Sequence, residues 1–156
     1  MKKLLLLLIV SCLSISSFAE VYFGIGYGNI SDSDDGDSIS LGAIDFTVGN
    51  RVDENFAFEL TLSQGIQDDE FDGIEAELDT SFAARALYHF NENLFINAFW
   101  GRVELEGCYN GLCVGASETE GGIGIGADFP LENNSAIRLS LDSVDDAEIV
   151  SLKYIF

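Results

Sequence analysis

Three short polar segments recur along the chain at nearly equal intervals: Asp53-Glu54-Asn55, Asn91-Glu92-Asn93 and Glu132-Asn133-Asn134. Their glutamates Glu54, Glu92 and Glu132 lie 38 and 40 residues apart. An interval of that size holds two extended strands and one longer connection. The longer connections are Gly- or Asp-rich: Ser31 to Ser38, Gly65 to Glu75, the segment around Cys108 and Cys113, and a shorter one at Ser143 to Asp146. Three tight turns and four longer loops divide residues 20–156 into eight strands. With one Pro and 16 Gly in 156 residues, helix signals are few. The expected fold is all-β, an antiparallel up-and-down barrel of eight strands.

The strands alternate. Phe56, Phe58, Leu60 and Leu62 oppose Ala57, Glu59, Thr61 and Ser63; Ile137, Leu139 and Leu141 oppose Ala136, Arg138, Ser140 and Asp142. Successive side chains on a strand point to opposite faces, so each strand carries one apolar and one polar face. The polar faces hold Gly, Ser, Thr and isolated charges, as in Gly122, Gly124, Gly126 and Asp128. That composition suits a crowded lumen better than a solvated surface. Aromatic residues collect beside the short turns: Phe56, Tyr88, Phe90, Phe129, Tyr154 and Phe156. Aromatic girdles mark the edges of a membrane. The expected orientation is therefore apolar side out, in lipid. A soluble lipocalin-like barrel, apolar side in, is the structural alternative. Two strands strain the pattern. Ile39 and Leu41 are out of phase with Ile44, Phe46 and Val48, which calls for a bulge near Gly42. Phe95 and Phe99 share the inner phase with Asn97 and Gly101. On the fourth strand, Leu78 is expected to face out and Asp79 in.

The chain opens on Met1-Lys2-Lys3, an apolar run from Leu4 to Val10, and Ser17-Phe18-Ala19. This pattern predicts a secretory signal peptide over 1–19 and a barrel domain over 20–156. Ile9-Val10-Ser11-Cys12 is a weaker competing lipoprotein box. Residues 20–156 keep five basic residues against 27 acidic ones, a net charge of −22. So acidic a chain offers no footprint for nucleic acid. Beyond residue 19 two Cys remain, Cys108 and Cys113, flanking Tyr109-Asn110-Gly111-Leu112. An even pair in an exported chain, around a tight-turn dipeptide, predicts a disulfide.

The last strand, Ala147 to Phe156, carries Val150, Leu152, Tyr154 and Phe156 on one face and ends on Phe. It resembles the closing strand and assembly signal of bacterial outer-membrane β-barrels. The whole of 20–156 resembles the small eight-stranded group that includes OmpX-like proteins and the OmpA transmembrane domain. The resemblance implies short periplasmic turns, longer acidic outer loops, residence in the cell outer membrane amid lipid and lipopolysaccharide, and insertion by the outer-membrane assembly machinery. It also implies a monomer with no cofactor, in a structural or surface-interaction role.

Phase places the charges. Arg85, Arg138, Lys153 and Arg51 are expected inside, against Asp45, Glu59, Asp79, Asp128 and Asp142. Buried charges are costly unless paired, and eight strands enclose room only for side chains. A non-conducting lumen closed by ion pairs among Asp45, Glu59, Arg85, Asp128, Arg138 and Lys153 is the expected site; a narrow ion path is its rival. A lipid A-modifying enzyme is a further alternative, but the single histidine, His89, sits beside a periplasmic turn with no Ser next to it. Gly24-Ile25-Gly26-Tyr27-Gly28 lacks the full nucleotide-loop spacing. No metal site is assigned. The acidic runs Asp32 to Asp37 and Asp68 to Glu75 are candidates for divalent cations, although the first fails the EF-hand template.

Overall fold

A computed structural model describes residues 20–34, 37–71, 74–109, 112–145 and 147–156. The signal-peptide reading over 1–19, with Cys12, lies outside these residues. Nine strands appear in the order β1 (Glu20–Asp34), β2 (Asp37–Arg51), β3 (Phe56–Gln67), β4 (Asp69–Phe71), β5 (Ile74–His89), β6 (Leu94–Tyr109), β7 (Leu112–Pro130), β8 (Ala136–Val144) and β9 (Ala147–Ile155). β4 continues β3 past Asp68, and both pair with β5, so the wall has eight staves. All pairings are antiparallel between sequence neighbours except the β1–β9 seam, where Gly24 stands opposite Ile155. Phe23 and Phe156 exchange two backbone hydrogen bonds of 2.8 Å at its end. Closure leaves no sheet edge within this ring.

The short turns explain their own sequences. Asp53 Oδ1 accepts from the backbone N–H groups of Asn55 and Phe56, both at 2.8 Å. Asn91 Oδ1 does the same for Asn93 and Leu94, at 2.9 and 2.8 Å. A short Asp or Asn side chain is the residue that can close such a turn on itself. The third Asn of each turn then reaches the next hairpin: Asn55 Nδ2 donates to the His89 carbonyl at 2.8 Å, and Asn93 Nδ2 to that of Asp128 at 2.9 Å. The third turn is a 3-10 segment, Glu132–Asn134, with Asn133 and Asn134 at φ 63° and 60°. Asn tolerates that left-handed region better than most residues.

The outer wall is an apolar belt. Phe23, Phe58, Leu62, Trp100, Ile125 and Leu152 are all more than half exposed. Burial instead follows the opposite phase, where the charged and small residues lie. The soluble apolar-in alternative is therefore excluded by the direction of the side chains. Aromatic rings cluster by the short turns, with Phe56–Tyr88, Tyr88–Phe90 and Tyr154–Phe156 centroids 5.0, 5.4 and 5.7 Å apart.

Two local corrections concern phase. β2 is continuous: Leu41 and Ala43 are buried on the same inner face as Asp45 and Thr47. The irregularity opposite Gly42 belongs to β3, where Gly42 pairs with Gln67 and Ala43 with Gly65, leaving Ile66 as the extra residue. On β5 the ladder skips Asp79, since Leu78 pairs with Leu105 and Thr80 with Glu104. Leu78 is fully buried inside, and Asp79 is exposed. A bulge inserts one residue and reverses the phase beyond it. The acid-rich segments expected as loops are largely strand. β5, β6 and β7 run 16, 16 and 19 residues, well beyond the roughly 9–11 that cross a bilayer.

Candidate functional site

Below the middle of the barrel, Arg138 projects from β8 into a ring of acceptors. Its Nε and one terminal nitrogen bond both oxygens of Asp128, at 2.6 and 2.7 Å. Asp128 stands directly opposite on β7, so the fork is set by the ladder register. The other terminal nitrogen bonds Glu59 from across the lumen, and Tyr22 Oη donates to the same Glu59 oxygen at 2.7 Å. The guanidinium also lies 4.8 Å from the Phe95 ring centroid. A planar guanidinium can serve two carboxylates and an aromatic face at once, which an ammonium cannot.

A second group centres on Arg85 from β5. It donates to Asp142 at 2.6 Å and to Asn97 Oδ1 at 3.2 Å, while Asn97 Nδ2 donates to the other Asp142 oxygen at 2.7 Å. Phe99 stacks 4.4 Å beneath the guanidinium carbon. A third group places Lys153 Nζ 3.2 Å from Asp45, and 3.2 Å from Thr47 Oγ1; Ser63 donates to Asp45 at 2.7 Å. The void among Glu59, Arg85, Arg138 and Lys153 is only about 10 Å³. Glycine makes the crowding feasible. A Cβ on Gly122 would come within 2.6 Å of the Phe99 ring, and one on Gly126 would strike Phe95.

All six residues expected in the lumen network lie inside, and each of the three cations has a carboxylate partner. Asp142, placed on the inner face from its phase but left out of that network, is the partner of Arg85. Asn97, Tyr22 and the two inward phenylalanines were not assigned roles. Arg51 ends β2 at the rim, exposed, and Asp79 is outside. Arg102 is also exposed, 3.2 Å from Glu104. His89 is buried, with Nε2 3.5 Å from Asp128, and neither ring nitrogen has a hydrogen-bond partner among the described residues. Ser140 and Ser151, buried hydroxyls of β8 and β9, bond each other at 2.6 Å. No Ser–His relay is assembled among the described residues.

Val150, Leu152, Tyr154 and Phe156 face outward along β9, exposed. Cys108 and Cys113 face each other across β6–β7 and form a disulfide, Cα to Cα 4.1 Å. The side chains of Asp32 to Asp37 and of residues 71–74 lie outside what is described, and with them the cation reading of the first run; in the second, Asp69 accepts from the backbone N–H groups of Ser40 and Glu70 at 2.8 and 2.9 Å.

Comparison with known proteins gives a family match and fold matches. The family model described as an outer membrane protein beta-barrel domain matches residues 4–149. Among solved structures, the chain resembles Ail, the attachment invasion locus protein of Yersinia pestis, in complex with the heparin analogue sucrose octasulfate. That match has a TM-score of 0.61 and 18% identity, and covers 88% of this chain and 99% of that one. It also resembles Neisserial surface protein A, with a TM-score of 0.60 and 15% identity over 88% of this chain and 96% of that one. No curated protein matches the sequence.

Proposed function

We propose, on the premise that this chain belongs to the outer membrane protein β-barrel family, that it is a non-enzymatic, non-conducting barrel whose work is done on its outer surface. Its place is the outer membrane, surrounded by lipid. Residues 1–19 are read as its signal peptide, Val150, Leu152, Tyr154 and Phe156 as the signal read by the assembly machinery, and the barrel as a monomer.

The observation that carries this reading is the unequal height of the wall. β7 pairs with β8 only from Ile123 onward, opposite Ser143. From Leu112 to Gly122 it pairs on one side only, with β6. The projecting β5–β6–β7 ribbon therefore ends in a strand edge of eleven residues, clasped at its tip by the disulfide. An unpaired edge is a template for an added strand. The packed ion pairs inside favour a structural lumen over a conduit. The paired Ser140 and Ser151, and a His89 that faces Asp128 with no serine hydrogen-bonded to it among the described residues, give acyl chemistry no footing. Binding of a heparin analogue, as in the Ail complex, does not suit a chain whose residues 20–156 carry a net charge of −22. A partner with a cationic or neutral strand does.

The test is a trimmed hairpin. Leu105 faces Ala116, so residues 106–115 can be replaced by Asn-Gly without changing register. Cells carrying the trimmed barrel should keep a heat-shifted outer-membrane band and lose attachment to matrix proteins or host cells. Attachment equal to that of the full barrel would end the edge reading.

A further inference from the structure

The lumens of membrane barrels are ordinarily polar. This one changes character halfway. Above the ion pairs, toward the long hairpins, the inner face is built from Leu41, Ala43, Leu78, Leu105, Val144 and Ile149. They enclose an open cavity of about 400 Å³, floored by Arg85, Phe99 and Ser63. That lies within the roughly 300–1,000 Å³ typical of small-molecule sites.

The lining is produced by a specific device. Below Asp79, β5 turns its odd-numbered residues inward, Ser81, Ala83, Arg85 and Leu87. Continued upward, that phase would aim Asp79, Glu77 and Glu75 into the lumen. The bulge at Asp79 reverses it, so Leu78 and Ala76 face in and all three acids face out. Gly65 permits the close approach of β3, since a Cβ there would collide with the Leu78 carbonyl. Bulges of this kind re-aim side chains beside binding sites. The rim is the reverse of the wall. Glu118, Glu120 and Asp145 border the mouth, and its one cation, Arg102, is already matched by Glu104.

We propose that this cup binds a small cationic amphiphile, with a short aliphatic or aromatic body against Leu41 and Leu78 and a positive head at the acidic rim. Apolar walls take the body without regard to charge. The rim selects the head, because a mouth lined by one sign of charge concentrates the opposite one. Arg85 does not recruit an anion from below, since its charge is held by Asp142.

The test uses the full barrel in phosphatidylcholine nanodiscs, titrated with octyltrimethylammonium, octyl glucoside or octanoate below their micellar concentrations and followed by methyl NMR. Octyltrimethylammonium should give saturable shifts at Leu41, Leu78 and Val144, and bind about tenfold or more tighter than octanoate at low salt. The exposed pair Glu118→Gln and Glu120→Gln should bring the two probes to within about threefold. Ala76→Phe, which fills the cup, should abolish the lumen shifts while the heat-shifted band persists. If Ala76→Phe fails to fold, the rim pair alone decides. Shifts confined to the lipid-facing Leu60 and Leu152 would show partition into the bilayer and overturn the site. Octanoate binding as tightly as the ammonium would overturn the head-group selection.

Discussion

Glu59 and Arg85 stand directly opposite one another on β3 and β5, yet neither is the other's partner. Glu59 is bonded by Arg138 from β8, and Arg85 by Asp142 from the same strand. Both bonds cross the lumen, so β8 is tied to the far wall at two levels. A double-mutant cycle should report this. Glu59 with Arg138 should couple by about 1 kcal/mol or more, and Glu59 with Arg85 by less than about 0.5 kcal/mol. Unfolding in lipid vesicles gives the measurement.

Arg138→Met strands Glu59 and Asp128, both buried, without their cation. Breaking a buried pair from one side costs roughly 3–5 kcal/mol. Urea-induced unfolding in vesicles should shift by that order. Arg102→Met, on the exposed ion pair with Glu104, should change stability by less than about 1 kcal/mol.

Three cations and four carboxylates fill the waist, leaving a void of about 10 Å³ there, near the minimum that holds a single water. Planar bilayers containing the purified barrel should show no stable steps. The triple variant Glu59→Ala, Arg85→Ala, Arg138→Ala, if it folds, should show small ones. Large steps from the unaltered protein would end the plugged-lumen reading.

Gly122 faces the Phe99 ring. Gly122→Ala should destabilise by about 1–3 kcal/mol through overpacking against the Ser143 carbonyl and the Phe99 ring, and Phe99→Leu should recover only the ring's share of the loss. The pair is checked by comparing three melting curves, the two single variants and the double. An additive result would mean that the Ser143 carbonyl, not the ring, sets the cost at Gly122.

Removing Phe156 deletes a pair of 2.8 Å backbone bonds to Phe23 at the seam, together with its stacked contact on Tyr154. Outer-membrane assembly should fall more than the stability of protein refolded in vesicles. Equal outer-membrane levels with and without Phe156 would remove the assembly-signal reading.

Much of the wall could be read from residues. β3 alternates from Phe56 to Ser63 because one face meets lipid and the other a packed lumen, and the two environments demand opposite chemistry. The reading weakened where that contrast ends. Between Leu112 and Glu120 both faces of β7 are exposed, so no alternation marks it as strand. Leu78 was misplaced because a bulge leaves no composition signature: Asp79 looks like an inward acid until the pairing to Leu105 and Glu104 is known. Phe95 and Phe99 looked like errors of phase. They fit only because Gly126 and Gly122 on β7 vacate the space in which the rings lie over Arg138 and Arg85. Phase alone places Arg85, Arg138, Lys153, Asp45, Glu59, Asp128 and Asp142 inside but misplaces Arg51 and Asp79, and it does not give the pairings, which depend on which walls of the closed barrel come face to face.

The asparagines of the first two turns carry one more consequence, for the order in which the barrel can be completed. Asn55 finds its partner on the last residue of β5, and Asn93 on the penultimate part of β7, so neither turn is finished by its own hairpin. Each waits for the following hairpin to arrive and then locks it at the rim. Neighbouring hairpins are thereby tied at the rim over separations of 34 and 35 residues, far shorter than the separation across the β1–β9 seam. The β1–β9 seam joins the two ends of the described barrel and carries the largest loop-closure cost, so it is expected to close last.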